Sequence, residues 1–350
     1  MDSFEHFRNL AAIPSPSWKE DGISSYLIRV LGEYGYSFRD DEYGNLLFWR
    51  YPTGEKIMIT CHMDTVERAL DVHLLEDDDY FFTDGHTALG ADDKAAIATL
   101  LAVAEKKPDA LFLFTRAEEL GLQGSSKLKK EFFEPFKIRA AYTLDAAGKV
   151  GTCIISAPGK NRIEITITGR TAHAAFSPEK GINAIKAAAR AIDHSPSGRI
   201  DDETTCNIGS FNAPGATNIV PDKASYTYEV RSLSNEKRRA ISEEIISSAR
   251  AAAKEFGAEC EAKLFNLYDP YIISEADPAL IRCSDSCEAI GLEWTAKPTS
   301  GGSDTNNLRR LGIDAITLSI DYENAHSVNE RIAKSEMKAL QRLIEALLGI

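Results

Sequence analysis

An apolar run too short for a helix stops at two adjacent carboxylates: residues 111–121 read Leu-Phe-Leu-Phe-Thr-Arg-Ala-Glu-Glu-Leu-Gly. Four consecutive apolar residues, two of them aromatic, read as a strand buried on both faces, as in a parallel sheet covered by helices. Adjacent side chains on an extended or turning backbone point in different directions. One of Glu118 and Glu119 can therefore hold a metal ion while the other faces a water beside it. Two glutamates after a strand are commonly no more than a solvated loop, and the pair gains meaning only because the construction recurs.

It recurs three times. Residues 56–60 form a short apolar strand that runs into Cys61-His62-Met63-Asp64-Thr65, residues 140–144 deliver a strand into Asp145, and residues 315–320 lead to a loop containing His326. On an extended backbone His62 and Asp64 project to one face, so Asp64 can orient the imidazole from behind. A helix rich in Ala and Leu opens at Leu89-Gly90-Ala91-Asp92-Asp93-Lys94 and continues to about residue 106. Its two acids fit a helix N-terminus without any further role. Apolar strands separated by helical segments, each ending in a His or an acid, predict an α/β fold with ligands gathered beyond the carboxyl ends of the strands.

His62, Asp92, Glu119, Asp145 and His326 then form a set of two imidazoles and three carboxylates without a thiolate. Such donors suit Zn²⁺, Mn²⁺ or Co²⁺ at a catalytic site better than a closed structural zinc site. The set is too large for one tetrahedral ion with an open position, and it fits two ions sharing a carboxylate. Glu118 is left over as general base.

The flanking segments read more simply. Residues 3–13 and 18–34 carry apolar residues at helical spacing, with Pro14 and Pro16 between them, and residues 36–49 form a hairpin around Tyr43-Gly44-Asn45. The acidic run 76–79 is a solvated turn without the ligand spacing of a calcium loop. Residues 162–168 and 224–230 alternate as half-buried strands, and 182–192 and 236–256 read as helices. This stretch, placed between the metal-ligand strands, predicts a separate small α+β domain, giving a catalytic domain in two parts (1–157 and 269–350) and an inserted domain (158–268). His173, Asn218 and Arg231 are its notable polar residues, and on position alone each reads as an ordinary loop or surface residue before it reads as a functional one.

A net charge of −13 argues against nucleic-acid and anionic-membrane partners. The longest nearly apolar run, residues 95–104, is too short to span a bilayer, and the N-terminal residues lack a signal-peptide core. The six cysteines are scattered with no Cys-x-x-Cys pair, which fits buried thiols in a reducing compartment. A cytoplasmic location is the expectation.

Four stretches resemble the motifs of the dinuclear zinc peptidases, the family of peptidase T (tripeptide aminopeptidase), aminoacylase and glutamate carboxypeptidase. They are Cys61-His62-Met63-Asp64-Thr65, Gly90-Ala91-Asp92-Asp93-Lys94, the segment from Thr115 to Gly121, and Ala325-His326-Ser327-Val328-Asn329-Glu330. Ala172-His173-Ala174 with its sequel to Ala184, and Thr217-Asn218-Ile219-Val220-Pro221-Asp222, are similar to the family's inserted domain. The paired Asp-Asp-Lys most resembles peptidase T. Ala96 and Ala175 stand where relatives often have glycine.

The resemblance implies that His62, Asp92 and Asp145 serve one metal and Asp92, Glu119 and His326 the other. It further implies that Glu118 activates a water, that His173 helps bind the oxyanion from a partner subunit, and that Asn218 and Arg231 hold a substrate carboxylate. Gly301 and Gly302 correspond to a glycine-rich cleft loop, the Asp92–Asp93 peptide is expected to be cis, and the inserted domain is expected to act as a lid and to pair two chains into a homodimer. The function so implied is amide hydrolysis of short peptides. A carboxypeptidase or an N-acyl-amino-acid deacylase would carry the same catalytic set. A non-enzymatic metal- or peptide-binding module would need the ligands but no spare base at Glu118, and a serine hydrolase would need a Gly-x-Ser-x-Gly elbow that is absent.

Overall fold

The computed structural model describes residues 1–350. It divides into two compact units, Met1–Ala157 with Ile272–Ile350, and Pro158–Tyr271. No helix is long and apolar enough to cross a membrane.

The first unit is built on a nine-stranded mixed sheet. Its centre is parallel: Leu111–Thr115 pairs with Glu55–His62, which pairs with Lys137–Leu144, which pairs with Ala315–Leu318. Every residue of Leu111–Thr115 is buried, as a strand covered on both faces must be. The predicted hairpin forms from Ser37–Asp40 and Leu46–Trp49 and joins the edge in antiparallel sense. The first two predicted helices are Ser3–Ala11 and Asp21–Glu33. Asp2 caps the first through a capping box with Glu5, satisfying amides that would otherwise lack partners.

Ala91–Ala104 is buried along its whole length. It packs on Ser3–Ala11, on Lys334–Leu348 and on the Glu55–His62 strand. A helix covered on all sides needs small or apolar residues on every face, and Ala95, Ala96, Ile97, Ala98, Leu100 and Leu101 supply them. Its start differs from a simple capped helix: Asp92 (φ −80°, ψ 98°) and Asp93 (φ −117°, ψ 18°) are non-helical. The bond between them is cis, as expected.

A second, four-stranded sheet of Leu74–Glu76, Tyr80–Thr83, Tyr322–Glu323 and Arg331–Ala333 was not anticipated. The acidic run 76–79 is the turn of its hairpin, but Glu76 is ion-paired with Arg8 and Lys334 and is not simply solvated. The segment after the glutamate pair holds two 3-10 turns, Ser125–Lys127 and Lys130–Phe133.

The second unit is a five-stranded antiparallel sheet in the order Gly198–Asp201, Thr204–Asn212, Lys223–Ser232, Gly159–Thr168, Glu259–Tyr268. Ala184–Asp193 and Asn235–Phe256 pack on it. Ile163, Ile165, Ile167, Tyr226, Tyr228 and Val230 meet Ala187, Ala188, Ala191, Ile245 and Ala249 in one core. The strands Gly198–Asp201, Thr204–Asn212 and Glu259–Tyr268 were not read from the sequence. Apart from a few residues they are exposed or half-exposed, so they carry little apolar alternation.

Candidate metal centre

Register brings the predicted donors to one end of the parallel sheet. His62 lies opposite Thr115, and Thr60 opposite Thr143, so the exits of three strands, with His62, Glu118 and Asp145, converge. His62 is 2% exposed. Its Nε2 lies 3.1 Å from Asp92 Oδ1, and its Nδ1 lies 3.0 Å from the Asp64 carbonyl oxygen and 3.4 Å from Asp64 Oδ1. Nδ1 therefore carries the proton that both oxygens accept, leaving Nε2 to face the cluster.

The Asp64 carboxylate has a further task. It is fully buried and accepts from the Glu118 amide (2.9 Å), the Glu119 amide (3.2 Å) and Ser17 Oγ (2.6 Å). It thus ties the His62 strand to the turn that carries the glutamate pair. Burial opposes its ionisation, but its contacts with His62, Ser17 and the Glu118 amide outweigh this and hold it below the usual carboxylate range.

His326 stands in the left-handed region (φ 64°) in the loop between Tyr322–Glu323 and Arg331–Ala333. Its Nε2 lies 2.8 Å from Glu119 Oε1 and 3.3 Å from Asp92 Oδ2. Those two contacts push the imidazole up to about 10. Asp92 thus touches His62 with one oxygen and His326 with the other, the geometry of a bridging carboxylate. Burial works against its ionisation, but His326 and His62 bring it down to about 2.

Two triads of donor atoms lie within 4.8 Å of one another, His62–Asp92–Glu119 and His62–Glu118–Asp145. Donors about 2.0–2.2 Å from a shared ion are separated by no more than about 4.4 Å, so the side chains fit divalent cations with small shifts. Crowding supports the same reading. Burial, then neighbouring carboxylates, push Glu118, Asp145 and Asp93 well above the ordinary carboxylate range, His62 partly offsetting this. Glu119 Oε1 is buried and, apart from the His326 nitrogen, meets no donor. A concentration of buried negative charge with under-satisfied oxygens is what bound cations would relieve.

Three contributors escaped the sequence reading. Glu330, 1% exposed, accepts from the amides of Gly90 (2.9 Å) and Asp92 (3.1 Å) and fastens the His326 loop to the Asp92 turn. Its place at the end of the quoted His326 motif was the available signal. Tyr322 donates to Asp145 Oδ1 at 3.5 Å. Asp304, buried at the start of Asp304–Arg310, accepts from Thr115 Oγ1 and sets the Gly301–Gly302 loop beside the strand exit, where both glycines are half-buried.

The remaining predicted residues lie in the second unit. His173 is exposed, and its Nδ1 accepts from the amides of Ala175 and Phe176, both at 3.2 Å. A neutral ring so held carries its proton on Nε2, which is left as a donor. Asn218 is adjacent, its carbonyl accepting from the Ala174 amide at 2.9 Å. Arg231 is half-buried, and its Nε donates to Glu229.

A mixed sheet with imidazoles and carboxylates at the exits of its parallel strands, its chain interrupted by an antiparallel domain, defines an α/β protein with a candidate metal centre. Residues 155–257 match the peptidase dimerisation domain and residues 49–202 match peptidase family M28. The chain is 33% identical to the uncharacterized protein YqjE of Bacillus subtilis (strain 168), over 98% of this chain and 96% of that protein. It superposes on the aminopeptidase PepT of Bacillus cereus ATCC 10987 with a TM-score of 0.84 and 32% identity, covering 99% of this chain and 97% of the other. For a tripeptidase of Staphylococcus aureus subsp. aureus mu50 the TM-score is 0.89 and the identity 31%, with 99% and 96% covered. The chain belongs to the peptidase T-like M20 family of peptidases, as its motifs implied.

Proposed function

We propose that this protein is a metal-dependent peptidase that cleaves the amide bond of short peptides, in the manner of a tripeptidase or aminopeptidase. The observation that carries the reading is the split of the glutamate pair: Glu119 meets His326 beside Asp92, while Glu118 lies with His62 and Asp145. His62, Asp92 and Asp145 would hold one divalent cation and Asp92, Glu119 and His326 a second, with zinc the best match to this nitrogen and oxygen set. Bound there, a cation pair supplies Lewis-acid polarisation of a carbonyl and acidifies a water. Glu118 takes the proton of the attacking water and returns it to the leaving amine.

His62 is held in one tautomer by the carbonyl oxygen and the carboxylate of Asp64, and that carboxylate also accepts from the Glu118 amide, so ligand and base share one residue as support. His173, with its Nε2 proton free, would donate to the developing oxyanion from a partner chain, and Asn218 and Arg231 would bind a substrate carboxylate. Support for these roles comes from the motif resemblance and from the tautomer fixed at His173. Gly301 and Gly302 would line the substrate cleft. A homodimer through the inserted domain accords with the match to the peptidase dimerisation domain.

The test is hydrolysis of tri-alanine, dipeptides, carboxypeptidase substrates and N-acyl-amino acids after loading with Zn²⁺, Mn²⁺ or Co²⁺. Turnover of tri-alanine with release of its N-terminal residue is expected. Preferential cleavage of acyl-amino acids, or release of the C-terminal residue, would instead make the protein a deacylase or a carboxypeptidase.

A further inference from the structure

The turn that carries Glu118 and Glu119 is held by side chains from elsewhere in the catalytic unit. Four successive amides donate to them: Arg116 to Asn45 Oδ1 (3.1 Å), Ala117 to Glu20 Oε1 (2.9 Å), Glu118 to Asp64 Oδ1 (2.9 Å) and Glu119 to Asp64 Oδ2 (3.2 Å). Asn45, Glu20 and Asp64 are each fully buried. A tight turn that cannot use ladder hydrogen bonds has its donors satisfied one by one, which fixes its path.

Glu20 stands out among the three. Its Oε2 accepts from Arg116 Nε at 2.7 Å and Nη2 at 2.6 Å, and its Oε1 accepts from the amides of both Ala117 and Trp18, each at 2.9 Å. Trp18 (φ 68°) and Ala117 (φ 49°) both occupy the left-handed region, which side chains with a Cβ seldom adopt. Such residues persist where their surroundings over-determine them, and they concentrate at functional sites. Here one carboxylate oxygen binds both. On the other side of the turn, the Gly124 amide donates to the Arg116 carbonyl at 3.0 Å, and a Cβ at position 124 would come within 2.2 Å of that oxygen. The turn is gripped from two sides.

We infer that Glu20 is a positioning residue for the reaction: through the Ala117 amide and the Arg116 guanidinium it sets where the Glu118 carboxylate stands. The inference rests on the proposed role of Glu118 as base. Of the proposed metal ligands only Glu119 shares this turn, and its amide is held by Asp64 and not by Glu20; His62, Asp92, Asp145 and His326 stand on other segments. Loss of Glu20 therefore displaces the base more than it empties the site, and a misplacement of about 1 Å costs about a hundredfold in rate.

The experiment uses the metal-loaded full chain and measures kcat, KM, Tm and metal content for Glu20→Ala, Glu20→Gln, Glu20→Ala/Ala117→Gly and, as control, Glu118→Gln. Glu20→Ala should lower kcat about a hundredfold with KM within threefold and metal content unchanged. Glu20→Gln keeps an acceptor for the two amides but gives up the ion pair with Arg116, and should restore kcat about tenfold over Glu20→Ala without reaching wild type. The double variant relieves the left-handed backbone at position 117 and should regain Tm without regaining kcat. If kcat and Tm return together in the double variant, Glu20 is a stabilising residue only and the inference falls. It falls equally if Glu20→Ala keeps kcat within threefold, or if Glu20→Gln is as impaired as Glu20→Ala. Should Glu20→Ala fail to fold, Glu20→Gln and the double variant decide by the same criteria. An active Glu118→Gln would remove the proposed base itself, a failure distinct from that of the clamp.

Discussion

Cation binding should release at least two protons per chain near neutral pH, and the structure fixes why. Without a cation, His326 is raised to about 10 by its contacts with Asp92 and Glu119. His62 also stands well above its ordinary 6.5, because hydrogen bonds to Asp64 and Asp92 and nearby carboxylates outweigh the opposing effect of burial. At pH 7.5 a group with a pKa about 10 is protonated in roughly 300 molecules for each one that is not. Each imidazole must give up its Nε2 proton to become a ligand, so proton and cation compete for one atom. The sign follows: affinity is lowest at low pH and rises about tenfold per pH unit for each proton displaced, up to the pH of the raised value. With unperturbed imidazoles the slope would vanish above about pH 7. The assay titrates metal-free protein with Zn²⁺ at pH 7.5 in dilute buffer, counts the base needed to hold pH, and compares affinities at pH 6.5 and 7.5 by chelator competition. Release of about two protons or more with a steep slope is expected, since Glu118 and Asp145 can add to the count. Release below about half a proton, with no slope above pH 7, would show both imidazoles already neutral at pH 7.5 and refute their raised protonation in the metal-free site.

Glu119→Gln should reduce metal content toward one per chain by elemental analysis, since it removes a charged donor beside His326. His6, buried and lowered to about 4 mainly by burial, stays neutral in the fold while the unfolded chain protonates near 6.5. Its stabilising contribution is therefore present above pH 6.5 and lost as pH falls toward 4, by about 3 kcal/mol, and urea midpoints of wild type and His6→Asn should converge across that window. Mixing His173→Ala with Glu118→Gln chains should recover about a quarter of wild-type activity, if subunits exchange at random and a two-fold dimer shares the histidine across its interface. Recovery absent from proven hybrids would place His173 outside the partner's site.

The strands that deliver the donors were legible because burial on both faces demands nearly continuous apolar runs, and residues 111–114 and, but for Thr143, residues 140–144 have them. His62, Glu119 and His326 were legible because each follows such a strand, and Asp92 because it opens the apolar helix; the structure brings them into contact. The supports were harder to see. Glu20 acts from a loop remote in sequence from the turn it holds, and its carboxylate makes no cap to its own helix, so no local pattern marks it. Glu330 reaches back to Gly90 and Asp92 across 240 and 238 residues. The small sheet of 74–83 and 322–333 has strands of two to four residues, too short for periodicity. In the second unit, Thr204–Asn212 and Glu259–Tyr268 are mostly exposed and half-exposed, so their alternation is faint.

The division of labour within the glutamate pair is the centre of the account, and Glu118→Gln tests it most directly. Glu118 lies close enough to His62 and Asp145 to be a cation ligand itself, so geometry alone admits either role. As a base, its replacement by Gln should leave two metals per chain by elemental analysis and lower kcat about 10²–10⁴-fold. A fall to one metal per chain would make Glu118 a ligand and contradict its assignment as the base.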